Sequence, residues 1–322
     1  MKADRGYVEA PIAEGTDLVA EIKRLKREKN AVILAHYYAL PEIQDLADFI
    51  GDSLALAQKA EGLDADIIVM CGVHFMGETV KILCPAKKVI VPDLNAGCSL
   101  ADSCPAGELE NFIEAHPGHT VISYVNTSAA VKALTDIVVT SGNAMKIVSA
   151  LPADEKIIFG PDRNLGNYIN SQTGREMVLW DGACHVHERF SVEKILELKR
   201  EHPEAKVLVH PECPAPVRVL ADKTGSTAVL LKYAQESAAR EFIVATESGI
   251  LHEMQRTCPD KVFIPAPPDD ETCACNNCSY MKLNTLEKLY LSLKYELPVV
   301  EVDPAVAERA RLPIERMLEM SK

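Results

Sequence analysis

The chain has 322 residues, which at about 150 residues per domain predicts two or three domains with ample length for a buried core. Hydrophobic residues make up 48% and charged residues 25%, values typical of globular proteins, so the chain is not disordered as a whole. The formal net charge of -13 repels a phosphate backbone, and no Lys/Arg run exceeds Lys87-Lys88, so nucleic acid is excluded as an expected partner.

The stretch between Asp66 and Glu78 is uncharged but too short to span a bilayer, which needs about 20 apolar residues. The first residues include Asp4 and Glu9 with no apolar stretch behind them, so no secretory signal is expected. The 10 cysteines are too few for a disulfide scaffold, and in a reducing compartment thiols in loops are expected to be metal ligands or packing residues. We therefore expect a cytoplasmic protein without membrane association.

Strand-like runs rich in Val and Ile alternate with helical patterns along the chain, which is typical of βαβ units with parallel sheets. This pattern repeats, and the leading strand of each repeat is apolar and ends in polar residues, at 31–38, 120–126 and 206–212. The ends carry residues spaced 88 and 86 apart, namely His36, Tyr124 and His210. Seventeen residues after each, a hydroxyl opens a helical pattern, at Ser53, Ser141 and Thr227.

Each repeat continues with a second apolar strand that leads into a loop and a helix, at 65–78, 156–169 and 241–254. A third strand follows, at 88–93, 175–181 and 261–267. Within about a dozen residues of it comes a cysteine-bearing loop, as expected when one supersecondary unit recurs. These loops carry Cys98, Cys184 and the group Cys273, Cys275 and Cys278.

Helical patterns near 106–116 and 191–202 link the repeats, and no low-complexity linker interrupts the chain. We predict an α/β protein of three similar three-layer αβα units with parallel sheets, in a pseudo-threefold arrangement around a central active site. The units are expected at 1–103, 104–189 and 190–282. A helix near 283–295, an apolar strand at 298–302 and a C-terminal helix are expected to pack back on the first unit, over 283–322.

Ligands of parallel α/β sheets gather at the carboxyl ends of the strands. A threefold arrangement would bring all the polar strand ends to one cavity, each with a cysteine. Structural zinc usually takes four ligands with paired local spacing, whereas a cubane cluster held by three cysteines leaves one iron open as a Lewis acid. Hydroxyls at helix starts favour a small anionic substrate.

Each of these residues also has a purely structural interpretation. A lone cysteine after a strand is more often a packing residue, and a serine at a helix start is more often an N-cap. His36 and His210 are also compatible with local backbone contacts, Tyr38 and Tyr124 with half-buried core positions, and Glu212 with a solvated turn. The cysteines without a counterpart in the other units are assigned to packing or surface positions: Cys71, Cys84, Cys104, Cys213 and Cys258.

Several long segments in one order carry a family resemblance. They are AHYYALPEIQDLADFIGDSLALA (35–57), GVHFMGETVKIL (72–83), YVNTSAAVKALTDIVVTSGNA (124–144), IFGPDRNLG (158–166), CHVHERF (184–190), VHPECP (209–214), GST (225–227) and CNNCSYMKLNTLEKL (275–289). Together they resemble the quinolinate synthase family over nearly the whole chain. The resemblance implies three α/β domains with pseudo-threefold symmetry and a [4Fe-4S] cluster held by one cysteine per domain.

Carried over residue by residue, the resemblance implies one cluster per chain with the ligands Cys98, Cys184 and Cys278. It implies a substrate site lined by His36, Ser53, Tyr124, Val125, Asn126, Ser141, His210, Pro211, Glu212 and Thr227, with Tyr38 beside them. Some members carry Cys-x-x-Cys-x-x-Cys at the third ligand, whereas this chain has Cys-x-Cys-x-x-Cys. The role of Cys273 and Cys275 therefore stays open, and a local zinc site with Cys278 would lack a fourth ligand at suitable spacing.

The implied reaction condenses iminoaspartate with dihydroxyacetone phosphate to give quinolinate, phosphate and two waters, in de novo NAD biosynthesis. We assign proton transfer to Glu212 with His210, and orientation and oxyanion stabilisation to Tyr38, Tyr124 and Asn126. Ser53, Ser141 and Thr227 are expected to hold carboxylate or phosphate oxygens. The resemblance leaves open whether an L-aspartate oxidase or an aspartate dehydrogenase, as the source of iminoaspartate, binds the chain.

Two other hypotheses fit the same residues. One is an iron–sulfur hydratase that acts on a hydroxy acid, which would use the open iron in the same way. The other is a protein without catalytic activity, whose cavity binds an anionic metabolite and whose cysteines bind structural zinc. The products formed from defined substrates, and the metal content, distinguish these hypotheses.

Overall fold

The computed structural model describes residues 3–269 and 276–322. Its described part contains three four-stranded parallel sheets, one for each predicted repeat. In each sheet the strand order is the same: the second strand lies at one edge, followed by the first, the third and the fourth. The predicted α/β class with three similar parallel-sheet units is confirmed.

The first sheet is built from almost continuous apolar runs, because helices cover it on both sides. Leu34 in its first strand pairs with Phe49 on one side and with Met70 on the other. The elements are α1 (Leu18–Glu28), β1 (Ala31–His36), α2 (Pro41–Gln44), β2 (Phe49–Gly51), α3 (Ser53–Glu61), β3 (Ile67–Cys71), α4 (His74–Leu83), β4 (Lys88–Ile90) and α5 (Ser99–Asp102).

The second sheet repeats this arrangement. Ile122 in its first strand pairs with Ile137 at the edge and with Phe159 on the other side. Asp162 caps the helix after the third strand, because its side chain accepts hydrogen bonds from Asn164 N and Leu165 N. The elements are α6 (Ala106–Glu114), β5 (Thr120–Tyr124), α7 (Ala129–Lys132), β6 (Ile137–Val139), α8 (Ala144–Ala150), β7 (Ile157–Phe159), α9 (Arg163–Thr173), β8 (Val178–Leu179) and a 3-10 helix (His187–Arg189).

The third sheet has the same order again. Leu208 in its first strand pairs with Lys223 at the edge and with Val244 on the other side. The elements are α10 (Val192–Glu201), β9 (Lys206–Val209), α11 (Ala215–Arg218), β10 (Lys223–Thr224), α12 (Thr227–Glu236), β11 (Glu241–Ala245), α13 (Ile250–Thr257), β12 (Val262–Pro265) and a 3-10 helix (Met281–Leu283).

The C-terminal segment forms two helices, α14 (Leu286–Tyr295) and α15 (Pro304–Met320). Helix α14 packs on α1 of the first unit, whereas α15 packs against α4 and also against α7 and β6 of the second. The segment therefore joins two units. The prediction of an apolar strand at 298–302 is wrong. Val299 forms only an isolated antiparallel bridge with Ile90, and β4 is the edge strand of the parallel sheet.

The buried side chains form one large cluster and several smaller ones. The large cluster is continuous between the first two sheets and includes Ile68, Ile122 and, from α15, Ile314. The third sheet has its own clusters, one on each face, around Val207 and Leu208 respectively. Each sheet thus lies between helical layers, and the unit boundaries at 1–103, 104–189 and 190–282 stay a prediction. No helix in the described ranges combines the length and the apolar character that crossing a bilayer requires.

Candidate functional site

The carboxyl ends of all three sheets surround one cavity of about 70 Å³. β1 and β5 end at His36 and Tyr124, and β9 ends one residue before His210. The residues predicted for the site that line this cavity are His36, Tyr38, Ser53, Cys98, Tyr124, Asn126, Ser141, Cys184, His210, Glu212, Thr227 and Cys278. Sequence repeats therefore predicted which segments meet, although they are far apart along the chain.

Val125 and Pro211 do not line this cavity. Val125 is buried and borders a smaller cavity behind it, next to Ser53. The carbonyl of Pro211 accepts a hydrogen bond of 3.4 Å from Arg218 Nη1. Both residues support the loops that carry neighbouring lining residues, Asn126 and Glu212, instead of presenting a side chain to the cavity.

The hydroxyls at the helix starts are not the N-caps of those helices. Ser53 and Thr227 are the first residues of α3 and α12, and capping is performed by the preceding residues, Asp52 and Ser226. Ser141 lies in a turn before α8. Because neighbours satisfy the helix amides, the hydroxyls of Ser53 and Thr227 are left to face the cavity, where the helix N-termini favour an anion.

Glu212 lies at the centre of a buried hydrogen-bond network and is 2% exposed. Tyr124 Oη donates to Glu212 Oε1 at 2.5 Å, and His187 Nδ1 lies 3.1 Å from Oε2. Burial alone would raise the pKa of this carboxyl, but the attraction of His187 and the hydrogen bonds with His187 and Tyr124 outweigh it and lower the pKa to about 2. Glu212 is therefore a carboxylate at neutral pH.

His36 and His210 are neutral at physiological pH, because burial lowers the pKa of each to about 3. His36 Nδ1 accepts a hydrogen bond of 3.1 Å from Tyr38 N. His210 Nε2 lies 3.3 Å from Ser141 Oγ, and its ring stacks on His187 at 4.5 Å between centroids. A neutral imidazole nitrogen beside a hydroxyl can accept a hydrogen bond from it.

Tyr38 reaches across the boundary between the first and third units. Its hydroxyl lies 2.7 Å from Thr227 Oγ1 and 2.8 Å from Thr246 Oγ1. Thr246 Oγ1 also lies 2.9 Å from His187 Nε2. Burial raises the pKa of Tyr38 well above its usual value, so the phenol keeps its proton and can donate it in a hydrogen bond.

The three cysteines predicted as ligands line the same cavity, each from its own unit. The residues that follow them also meet: Ser99 Oγ lies 2.6 Å from His185 Nδ1, and the His185 ring is 6.1 Å from the Tyr280 ring. Burial raises the pKa of the thiol of Cys98 to about 12, and it also raises the pKa values of Cys184 and Cys278. Three soft donors in one cavity are suited to a thiophilic metal centre, which would displace their protons.

A second donor set overlaps this one. Donor atoms of Cys184, His187 and Glu212 lie within 4.8 Å of one another, so they could also hold a metal ion. The described cysteines without a counterpart in the other units are all buried, as a packing role requires, namely Cys71, Cys84, Cys104, Cys213 and Cys258. Cys273 and Cys275 lie outside the described residues.

Sequence reasoning missed polar residues that follow the second predicted strand of a repeat. Asp162 follows β7 and accepts a hydrogen bond from Cys184 N at 3.0 Å. Glu247 follows β11 and accepts one from Cys278 N at 2.9 Å. Burial raises the pKa of both carboxyls. The ends of the second strands differ between the repeats, so the repeat gave no signal for these two carboxylates, whereas the segment 184–190 already contained His187.

Comparison with known proteins gives full-length matches. Residues 20–319 match the family described as Quinolinate synthetase A protein. A curated quinolinate synthase of a Synechococcus species is 56% identical over 321 residues, which covers 100% of this chain and 99% of the relative. The quinolinate synthase of Nostoc punctiforme is 59% identical over 305 residues, covering 95% of this chain and 94% of the relative. That of Chloroherpeton thalassium is 56% identical over 306 residues, or 95% of each chain.

Proposed function

Because the chain belongs to the quinolinate synthetase A family and is an enzyme of the quinolinate synthase type in NAD biosynthesis, we propose that its substrates are iminoaspartate and dihydroxyacetone phosphate. The products are quinolinate, phosphate and two waters. The observation that carries this proposal is the single cavity in which three thiols, a buried carboxylate and three hydroxyls converge from three units. A small, multiply anionic substrate pair suits such a lining.

The proposed cofactor is one [4Fe-4S] cluster per chain, held by Cys98, Cys184 and Cys278. The convergence of these thiols from separate units supports this ligand set over a local zinc site, which would take its ligands from one segment. When bound, a cluster with three cysteine ligands supplies an open iron that acts as a Lewis acid toward a carboxylate or a leaving hydroxyl.

Glu212 is the proposed proton acceptor of the site. Its position in the cavity, with Tyr124 Oη at 2.5 Å and His187 Nδ1 at 3.1 Å, supports a carboxylate that exchanges protons during isomerisation and dehydration. His210 is neutral and lies beside Ser141, so it is the proposed relay between that hydroxyl and the Glu212 side of the cavity. The overlapping contacts with Cys184 make Glu212 and His187 neighbours of the proposed cluster.

Tyr38 is the proposed hydrogen-bond donor to substrate oxygens, and Tyr124, whose single hydroxyl proton is donated to Glu212 Oε1, is the proposed residue that orients this carboxylate toward the substrate. Burial keeps Tyr38 and Tyr124 protonated, and donors fixed by other protein groups need little reorganisation during the reaction. Asn126 lines the cavity beside them and is the proposed orienting residue for the condensing carbons. Ser53, Ser141 and Thr227 are the proposed ligands of carboxylate or phosphate oxygens.

The location and the supply of substrate are also proposals. All described cysteines are unpaired thiols, which favours a reducing compartment and supports a cytoplasmic enzyme. An L-aspartate oxidase or an aspartate dehydrogenase is the proposed source of iminoaspartate. To test direct transfer, either enzyme produces labelled iminoaspartate in the presence of this chain and a scavenger of free iminoaspartate. Label that still reaches quinolinate indicates direct transfer.

Anaerobic purification tests the function. The protein is expected to be brown with about four irons per chain, and to form quinolinate only when both substrates are present. Formation of a product from one hydroxy acid alone would support the hydratase instead. Colourless protein with tightly bound zinc, no iron and no turnover would overturn the proposal in favour of a binding protein.

A further inference from the structure

The ammonium of Lys282 lies between two groups that belong to different sides of the cavity. Its Nζ is 3.0 Å from Glu247 Oε1 and donates a hydrogen bond of 2.7 Å to the carbonyl of Tyr38. Lys282 is in the 3-10 helix that starts shortly after Cys278. One side chain thus connects the segment of the third thiol with the loop after β1.

Glu247 fixes the backbone of the third thiol. Its Oε1 accepts a hydrogen bond of 2.9 Å from Cys278 N, and its Oε2 accepts one of 2.7 Å from Gly249 N. The side chain is only 1% exposed, so Lys282 is the cation that compensates a buried charge. Removing one partner of such a pair leaves the other charge unpaired in a poorly solvated position.

The loop after β1 is held against the third unit from a second direction. Gln44 Nε2, which has two protons to donate, lies 3.0, 2.9 and 3.1 Å from the carbonyl oxygens of Tyr37, Ala39 and Gly249. The backbones also approach closely, because a Cβ on Gly249 would lie 2.8 Å from Tyr38 Cα. The backbone of Tyr38 is therefore set by contacts with the third unit, which is also the unit that supplies Cys278.

We propose that Lys282 is a positioning residue that couples Cys278 to the Tyr38 side of the substrate cavity. This proposal rests on the proposed function, in which Cys278 is a ligand and Tyr38 a hydrogen-bond donor. Lys282 acts through Glu247 on the amide of Cys278 and directly on the carbonyl of Tyr38. Loss of its ammonium disturbs both the Cys278 segment and the loop that carries Tyr38, whereas Gln44 still holds the first and third units together.

The chain contains a closely matched control pair. Lys288 pairs with Asp93, and the two side chains are 20% and 2% exposed, compared with 21% and 1% for Lys282 and Glu247. Lys288 lies over the ring of Tyr7, at 4.5 Å from its centroid, and neither Lys288 nor Asp93 lines the cavity. Its removal breaks an equally buried ion pair in the same part of the chain without touching Cys278 or Tyr38.

The experiment compares Lys282→Met, Lys282→Arg and Lys288→Met. In cluster-free protein, alkylation by iodoacetamide is followed at each cysteine by mass spectrometry. We expect Lys282→Met to accelerate alkylation of Cys278 by about tenfold, because its segment opens more often, while Cys98 is unchanged. Lys282→Arg should restore the slow rate, and Lys288→Met should leave Cys278 as in the wild type.

In the iron-loaded protein, the same variants are compared for chelator-induced iron loss and for steady-state kinetics. Lys282→Met should lose iron faster and lower kcat by roughly 10- to 100-fold, because a small displacement of Tyr38 misaligns its hydroxyl. Glu247→Gln, which keeps an oxygen acceptor for the Cys278 amide, should give a smaller effect in the same direction and serves if Lys282→Met does not fold.

The proposal is overturned if Lys282→Met and Lys288→Met lose the same thermal stability and show the same Cys278 alkylation, iron loss and kcat. An increase in alkylation at all three cysteines would also overturn it, because that pattern indicates general loosening. Failure of the proposed function gives a different result: the wild type itself would bind no iron or form no quinolinate.

Discussion

Tyr124 Oη donates a hydrogen bond of 2.5 Å to Glu212 Oε1, across the boundary between the second and third units. Both side chains are buried, at 4% and 2% exposure, so the contact is shielded from water. A hydrogen bond to an ionised acceptor is among the stronger polar contacts in a protein. The central carboxylate of the cavity is therefore stabilised by a residue from another sheet, and the two sheets must be assembled for this hydrogen bond to form.

Tyr124→Phe removes this donor and leaves the ring in place. We expect kcat to fall by about a hundredfold, because Glu212 loses the hydrogen bond that stabilises and orients its carboxylate, while KM changes less. Steady-state formation of quinolinate measures both constants. Tyr7→Phe removes a hydroxyl that does not line the cavity and lies 3.3 Å from Glu9, and it serves as the control with unchanged kinetics. Equal kinetics of the two variants would contradict the role of Tyr124.

Cys98→Ala tests the ligand set directly. We expect the variant to fold, with a thermal midpoint close to that of cluster-free wild type, but to retain no cluster after anaerobic reconstitution. Iron and sulfide analysis and the visible absorption spectrum measure this. Cys84→Ala is the control, because Cys84 is buried away from the cavity and donates from Sγ to the carbonyl of Ala60 at 3.4 Å.

Cys84→Ala should lose some stability through the small void that it leaves, but it should bind a full complement of iron. The two variants thus separate ligand loss from packing loss. A Cys98→Ala protein that keeps its iron and its turnover would contradict the proposed ligand set. Loss of stability in Cys98→Ala without any iron in the wild type would instead favour structural zinc.

The repeats made the first strand of each unit predictable. β1 and β5 end at His36 and Tyr124, and β9 ends one residue before His210. Because the carboxyl ends of parallel strands converge, one spacing rule located three sides of the cavity. The rule worked because the first strand of every unit is followed by polar residues at its carboxyl end. It says nothing about the atomic contacts across the units, such as the pairing of Tyr38 with Thr246, which arise only when the sheets assemble.

The second strands were less informative, because their ends differ between units. β3 is followed by Gly72 and Val73, whereas β7 and β11 are followed by Asp162 and Glu247. A repeat search therefore does not select these carboxylates, although each one accepts a hydrogen bond from the backbone N–H of a proposed cysteine ligand. Their role depends on a hydrogen bond between distant segments, which neither periodicity nor spacing encodes.

The short edge strands could not be read from the sequence either. β2, β6 and β10 have only 3, 3 and 2 residues, which is too few for a period-2 pattern to show. The segment at 298–302 was wrongly predicted as a strand, because its apolar residues resemble those of a buried strand. Val300 in it is buried against the first two units, so its apolar character serves packing.

Lys132→Met removes an ammonium that is completely buried in the second unit. Lys132 Nζ donates to the carbonyls of Val125, at 2.8 Å, and of Thr127, on either side of the lining residue Asn126. We expect a loss of about 3 kcal/mol in the free energy of unfolding, because both carbonyls lose their donor in a buried site. KM should rise as the loop loosens. Chemical denaturation and steady-state kinetics measure these effects.

The pH dependence gives Lys132 a second signature. Burial lowers its pKa to about 8 in the folded chain, below the value of about 10.4 that a lysine has when unfolded. Between these values the unfolded state binds more protons, so the contribution of Lys132 to stability rises with pH in this window. The difference in unfolding free energy between the wild type and Lys132→Met should grow from pH 8 to pH 10. A constant difference would contradict a buried ammonium with a lowered pKa.

Gly249→Ala tests the close approach between the first and third units. An added Cβ would lie 2.8 Å from Tyr38 Cα and 2.8 Å from Glu247 Oε2. A backbone atom cannot move aside as a flexible side chain can, so the loop after β1 must shift. We expect kcat to fall by about tenfold or more through misalignment of the Tyr38 hydroxyl, with a lower thermal midpoint. Steady-state kinetics and thermal unfolding measure the two effects.

Gly107→Ala is the matched control for this substitution. Gly107 lies in α6, and a Cβ there would meet no atom within 4 Å. Alanine favours a helix by about 1 kcal/mol relative to glycine, so this variant should be slightly more stable and fully active. Because the two variants add the same methyl group, the difference between them isolates the close contacts that a Cβ at Gly249 makes with Tyr38, Glu247 and Lys282. A Gly249→Ala protein with wild-type kcat would show that the backbone of Tyr38 can move without loss of catalysis, and the hydroxyl would then have no orienting role.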